Sequence, residues 1–186
     1  MSVTLKGLRS IIKGMNTFYS LTMNVDGDGR EIYPWTSYDE RERYDVSKLA
    51  QWEIVMSHMD TLGMQLMVIT QEEENEQILG KLTTSRKLYY RELIARFAHH
   101  HALLWDLSEE MDRWRYYSSE DIRQLCEYIK GLDPWKHPIQ YVQWKGELLP
   151  DDKGYGRLMG YPLFDGTALQ HDLEYTYAQT RKWVDA

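Results

Sequence analysis

Cysteine is nearly absent. Cys126 is the single one in 186 residues, so no internal disulfide can brace the fold. Its setting between Leu125 and Ile129 predicts a buried small hydrophobe rather than a reactive thiol. Long apolar runs are missing as well: none approaches the roughly 18 residues of a membrane-crossing helix, which argues against a membrane partner. Met1 to Gly14 lacks the uninterrupted apolar stretch and small-residue cleavage site of a signal peptide, so export cannot be read from this segment. Positive charge is the minority: 22 Lys and Arg stand against 29 Asp and Glu, a net charge of −7. A phosphate backbone is gripped by clustered cations, so a nucleic-acid partner is disfavoured. There is no internal repeat, low-complexity tract or Pro/Ser-rich linker, and residues 1–186 are expected to form a single domain.

Several local signatures of chemistry are also missing. A GxSxG elbow for a serine nucleophile does not occur, nor does a HExxH zinc motif. His99, His100 and His101 are consecutive, without a Cys or carboxylate at ligand spacing. They read as a helix C-terminus, where histidine is favourable against the dipole. Asn24-Val25-Asp26-Gly27-Asp28-Gly29 mimics the opening of a calcium loop, but the position for the bidentate Glu is Trp35, so a turn-forming loop is the better reading. Neither a metal nor a cofactor is expected.

What the chain does have is a hydrophobic fraction of 42%, enough for a core, and an unusual aromatic balance: 7 Trp and 14 Tyr against 3 Phe. Most of its aromatic surface therefore carries a polar handle beside a flat apolar face, as sugar-binding clefts do, although interfacial packing would use the same residues.

Hydrophobic periodicity alternates along the chain. Thr17 to Met23 reads as a strand. Leu49, Trp52, Met56 and Met59 predict a helix capped at Ser47 and stopped at Gly63. Met64 to Ile69 is short and apolar apart from Gln65, as in a strand buried on both faces. Tyr90, Leu93, Ile94 and Phe97 mark a second helix, and Ala102 to Leu107 a strand. Ser118 and Asp121 form a capping box before Ile122, Leu125, Cys126 and Ile129, with Gly131 and Pro134 ending that helix. Strands follow at Ile139 to Val142 and, more weakly, Leu163 to Leu169, then a helix over Tyr175 to Val184. Such alternation predicts an α/β fold with a parallel sheet. A doubly wound nucleotide-binding sheet would need a Gly-rich turn after its first strand, and none is present. The expectation is thus a partial TIM (β/α)8 barrel, whose chemistry sits where strands end.

The residues at those ends are Asn24, Gln71, Glu72, Glu109, Glu110, Trp144 and Gln170, joined by Trp35. Trp105-Asp106-Leu107-Ser108-Glu109-Glu110 is the strongest constellation, a buried strand running into two carboxylates. Glycosidic-bond hydrolysis uses one carboxylic acid to protonate the leaving oxygen and a second carboxylate as nucleophile or base. Glu110 is the candidate for the first role. Trp144 and Trp35 could present ring faces to a sugar, and Trp105 should lie packed beneath the site. Asn24, Gln71, Glu72, Glu109 and Gln170 could bind its hydroxyls.

The stretch RKLYYRELIARFAHHHALLWDLSEE, with YIKGLDPWKHPI after it, resembles bacterial glycoside hydrolases of the cellulase-like barrel superfamily. So do GMNTFYSLTMNVDGDG followed by Pro34-Trp35, TQEEENEQ, and FDGTALQ. The resemblance implies that Glu110 matches the acid/base at the end of the fourth strand. The position before it, commonly an Asn that orients a substrate hydroxyl, holds Glu109. The chain would run from the second strand to the sixth helix, and no residue can be assigned the nucleophile that the family carries on its seventh strand. At 186 residues it is shorter than the ~250 of a whole barrel. The resemblance also implies a carbohydrate substrate and a secreted or periplasmic bacterial parent. An open barrel would expose strand edges through which the chain could self-associate. A non-catalytic carbohydrate-binding or scaffold role is the alternative.

Overall fold

A computed structural model of the chain describes residues 14–26, 31–114, 116–144 and 154–185. Strands and helices alternate through it. Strand β1 (Thr17–Leu21) is followed by helix α1 (Val46–Thr61), β2 (Gln65–Ile69), α2 (Thr84–Phe97), β3 (Leu103–Asp106) and α3 (Ser119–Leu132). Then come β4 (Ile139–Gln140), β5 (Val142–Gln143), β6 (Ala168–Leu169) and α4 (Leu173–Val184). Short 3-10 turns at Glu73–Asn75 and Gly154–Leu158 sit in the connections.

Every strand pair is parallel. One sheet runs β1-β2-β3-β4 and a second pairs β5 with β6. Only Tyr141 separates β4 from β5, so Ile139 to Gln143 acts as one strand position that pairs first with β3 and then with β6. Each strand therefore lies beside its successor in sequence. A doubly wound sheet reverses its order at a switch point, whereas sequential parallel order is the wall of a barrel. This is a partial (β/α)8 barrel with parallel strands.

Side-chain alternation divides the wall into two faces. Leu66, Val68, Leu103, Trp105, Ile139 and Tyr141 point outward into the large core shared with the helices. Met67, Ile69 and Val142 point inward, packed with Leu21, Leu104 and Ala168. Burial on both faces explains why Leu66 to Ile69 reads as an unbroken apolar run behind the exposed Gln65. Cys126 is fully buried in the helix-facing core, as its sequence setting predicts.

Helix ends follow capping chemistry, with one correction. The cap of α1 is Asp45, whose side chain accepts from Lys48 N at 3.0 Å; Ser47 lies inside the first turn. The chain is held at Asp45 by its N–H donating to Pro34 O at 2.8 Å, which starts the helix earlier than its first apolar residue suggests. Gly63, at φ 69°, supplies the left-handed residue that ends α1. Ser118 and Asp121 form the expected reciprocal capping box on α3. The strand expected over Leu163 to Leu169 shrinks to Ala168–Leu169. Phe164 N closes a turn onto Tyr161 O, and Asp165 hangs on β4 through a pair of bonds to Ile139, leaving only two residues for the ladder. Among the described residues no helix is long and apolar enough to cross a membrane.

Candidate active site

The C-terminal strand ends bring the acidic residues of three connections together. After β3 the backbone turns at Glu109 and Glu110, with Arg113 N donating to Glu110 O at 2.9 Å. Glu110 itself adopts φ 52°, a left-handed conformation that costs a non-glycine residue on the order of 1 kcal/mol. The turn sends the two neighbouring carboxylates in different directions.

Glu109 extends the ladder, its N–H donating to Gln71 O at 2.9 Å, and its carboxylate accepts from the Tyr19 hydroxyl. Tyr19 lies on β1 in register with Met67 of the inner face. Partial desolvation of its hydroxyl at the mouth, and then this bond, push its phenol above the usual range. Below it Asp106 is fully buried, accepting from Gln140 Nε2 at 2.9 Å and from Ser108 N at 3.1 Å. Burial pushes its carboxyl well above the ordinary carboxylate range.

Glu110 meets a different set. Its Oε2 accepts from Arg113 Nη1 at 3.2 Å, and the same nitrogen donates to Glu73 Oε1. Arg113 thus bridges carboxylates from the connections after β2 and β3. Its guanidinium lies 4.8 Å from the Trp114 ring centre and 5.9 Å from that of Trp144. Glu73 is pushed up to about 7, by burial first and by the Glu110 charge second. Glu76, further along, is pushed up to about 8 by burial and then by Glu73. Both its carboxyl oxygens are buried without a hydrogen-bond partner among the described residues. An open cavity of about 510 Å³ adjoins this cluster, lined by Asp26, Glu73, Glu74, Glu76 and Trp114 among others. Carboxylates accept, hydroxyls donate, and an indole face covers apolar C–H surface, so these walls suit a polyhydroxylated ligand.

The other sequence candidates divide. Asn24 and Glu72 are joined, Asn24 Nδ2 donating to Glu72 Oε2. Asn75 organises that corner: its Oδ1 accepts from Val25 N and Asp26 N, each at 2.9 Å. Asp28 and Gly29 of the calcium-like loop lie outside the described residues. Trp144 follows β5, its N–H donating to Asp112 Oδ1 at 2.7 Å, and is half-buried beside Arg113. Gln170 follows β6, half-buried, with Oε1 unbonded among the described residues.

Two candidates are corrected. Trp35 has no exposed ring face: it is fully buried, stacked 5.8 Å from Tyr89 and covered by Arg41 at 4.8 Å. An indole preceding a helix is absorbed by that helix's core. Gln71 is fully buried and its oxygen accepts from Arg86, which itself donates to Tyr117 Oη at 2.9 Å and Glu76 O at 3.1 Å. Its side chain supports the loop from beneath. Trp105 is buried in the helix-facing core, Nε1 donating to Asp133 Oδ2 at 3.0 Å.

Tyr19, Glu73, Arg113 and Trp114 are the site residues that sequence reasoning passed over. Strand alternation in β1 and the i, i+3 spacing of Glu110 and Arg113 were the available signals; nothing local tied Glu73 to either.

A sequential parallel barrel wall with a carboxylate-rich C-terminal mouth defines the class of fold. No family model and no curated protein sequence matches the chain. Solved structures do. A protein from Bacteroides vulgatus assigned as a glycoside hydrolase superposes at TM-score 0.71 and 17% identity over 98% of this chain. A family 5 glycoside hydrolase from the same organism gives TM-score 0.55 at 13% identity over 76%. A family 5 enzyme from Streptomyces cattleya, solved with Manβ1-4GlcNAc, gives TM-score 0.54 at 10% identity over 81%. The chain spans 39%, 31% and 41% of those structures respectively. Its fold is similar to part of the barrel in each of these structures.

Proposed function

We propose that this chain is the portion of a glycoside hydrolase that carries the proton donor, and that Glu110 is that donor. In the reaction its carboxyl proton passes to the glycosidic oxygen as the C1–O bond breaks, and water completes the hydrolysis. The observation that carries the reading is the Glu110–Arg113–Glu73 bridge at the barrel mouth. It holds the residue that the resemblance matches to the acid/base among carboxylates at the C-terminal ends of the strands, where barrel chemistry sits. Glu72, Glu109 and Asn24 would bind hydroxyls, and Trp144 a ring face.

A second reading has its own support. Arg113 already occupies a carboxylate oxygen of Glu110, and no residue of the sequence matches the family nucleophile. The chain would then bind carbohydrate without cleaving it. Titration with Manβ1-4GlcNAc and β-linked oligosaccharides, followed by tryptophan fluorescence beside a reducing-sugar assay, separates the two. Turnover that falls at least about 100-fold in Glu110→Gln while binding persists supports the hydrolase. Turnover indifferent to Glu110→Gln removes it from the role, and binding without any turnover supports the second reading.

A further inference from the structure

Far from the carboxylate mouth, at the start of β3, a second cluster joins α1 to the end of α2. Helix α2 stops at Phe97 with Ala98 as its cap, and the turn that follows stacks the next two imidazoles, ring centres 4.2 Å apart. Both rings present Nε2 to one carboxylate of α1. His99 Nε2 lies 3.2 Å from Glu53 Oε1, and His100 Nε2 lies 3.3 Å from Glu53 Oε2. One donor atom from each of the three residues lies within 4.8 Å of the others. His100 is almost wholly buried, and its second nitrogen, Nδ1, sits 2.5 Å from Asp60 Oδ2, also on α1.

This geometry is specific in two ways. Asp60 lies against Nδ1 of His100, so that with an Nδ1–H donated to Asp60 the Nε2 lone pair would be available to an ion beside Glu53. A carboxylate behind a ligating histidine is the recurrent support of metal sites. Zinc bonds of about 2.0–2.2 Å to nitrogen and oxygen, spread over a tetrahedral angle, set the two donor atoms about 3.4 Å apart. The separations of 3.2 and 3.3 Å, each from one imidazole to a different oxygen of Glu53, come close to that spacing, while one donor atom from each residue lies within 4.8 Å of the others, so the imidazoles would draw in around an ion. In the sequence these histidines have no carboxylate at ligand spacing; the turn after Ala98 brings two of them together, and α1 supplies the carboxylates from 40 or more residues away.

We propose that Glu53, His99 and His100 form a binding site for zinc or a comparable first-row divalent ion, with Asp60 orienting His100 and water completing the coordination on the exposed side of His99. The ion would pin α1 to the end of α2.

The test uses the 186-residue chain at pH 7.5, with Zn²⁺ followed by calorimetry and Co²⁺ by its visible absorption. One equivalent should bind, with the intense Co²⁺ bands of a tetrahedral or five-coordinate site. His99→Ala, at an exposed position that the fold does not need, and Glu53→Gln should each weaken binding at least tenfold. Asp60→Asn should weaken it about 10- to 100-fold. His101→Ala, whose ring instead meets Trp135, should leave it unchanged. Zn²⁺ should raise the thermal midpoint of the parent chain and not that of His99→Ala. No binding, or binding that His99→Ala leaves intact, overturns the site and leaves Glu53 and Asp60 as hydrogen-bond partners of the two histidines.

Discussion

Glu76 holds two carboxyl oxygens in the protein without a partner among the described residues, and its folded-state affinity for a proton follows from that burial. Its carboxyl is pushed up to about 8, against an ordinary value near 4.3 in the unfolded chain. Between those values the folded state keeps a proton that the unfolded state has lost, so stability is complete at the acid end and declines as pH rises through the window. Glu73, pushed up to about 7, slopes the same way over a narrower range. The thermal midpoint should therefore fall between pH 5 and 8, apart from contributions of other groups. Glu76→Gln should flatten this decline and stabilise the chain at pH 8 by about 1–3 kcal/mol, a gain of several degrees in thermal unfolding. A midpoint in Glu76→Gln that tracks the parent at every pH would show that water reaches this carboxyl. None of this was legible in TQEEENEQ, where four glutamates look equally solvated. Their separation into surface and interior depends on Arg113 and Arg86, which reach Glu73 and Gln71 from 40 and 15 residues away in sequence.

The elements themselves were far more legible, because each helix and strand writes its own period. β2 and β3 were read to within a residue at each end, and the capping box of α3 was read from two residues. The cap of α1 was placed two residues late because Asp45 is fixed by Pro34 from outside the helix, a contact no local pattern reveals. The two-residue β6 was overestimated for a similar reason: Asp165 hydrogen-bonds sideways to β4 instead of along a ladder. Glycines test this level directly. Gly80 has φ 64°, a Cβ there would meet Thr83 Cγ2 at 2.8 Å, and its carbonyl accepts from Arg86. Gly131, within α3, has open space where a Cβ would go. Gly80→Ala should cost about 1–3 kcal/mol in urea unfolding, whereas Gly131→Ala should be neutral or stabilise by up to ~1 kcal/mol. Equal effects at the two positions would contradict the local geometry.

For the whole molecule, the barrel class was readable from alternation plus the absence of a phosphate-binding turn, and sequential strand pairing agrees with it. How the wall is bounded was not. Among the described residues β1 pairs only with β2, and β6 only with β5, and inner-face side chains such as Tyr19 are half exposed. Unpaired parallel edges beside apolar surface recruit further strands. We expect this chain to self-associate in dilute solution, with a weight-average mass by light scattering well above its 22.2 kDa. A monodisperse monomer would mean that these edges are covered.

Because, among the described residues, each strand position of the wall pairs with the next in sequence, with Ile139 to Gln143 as one position, this wall is assembled as a series of neighbouring closures. Contacts of this kind favour stepwise folding, each β/α unit docking on the one already formed. The central β2–β3 pair, buried on both faces, should then be the last region to exchange its amide hydrogens. Helix α4 buries only Gln179 among its described side chains and should be the first helix to open. Uniform protection from β1 to α4 would instead indicate a single all-or-none unit.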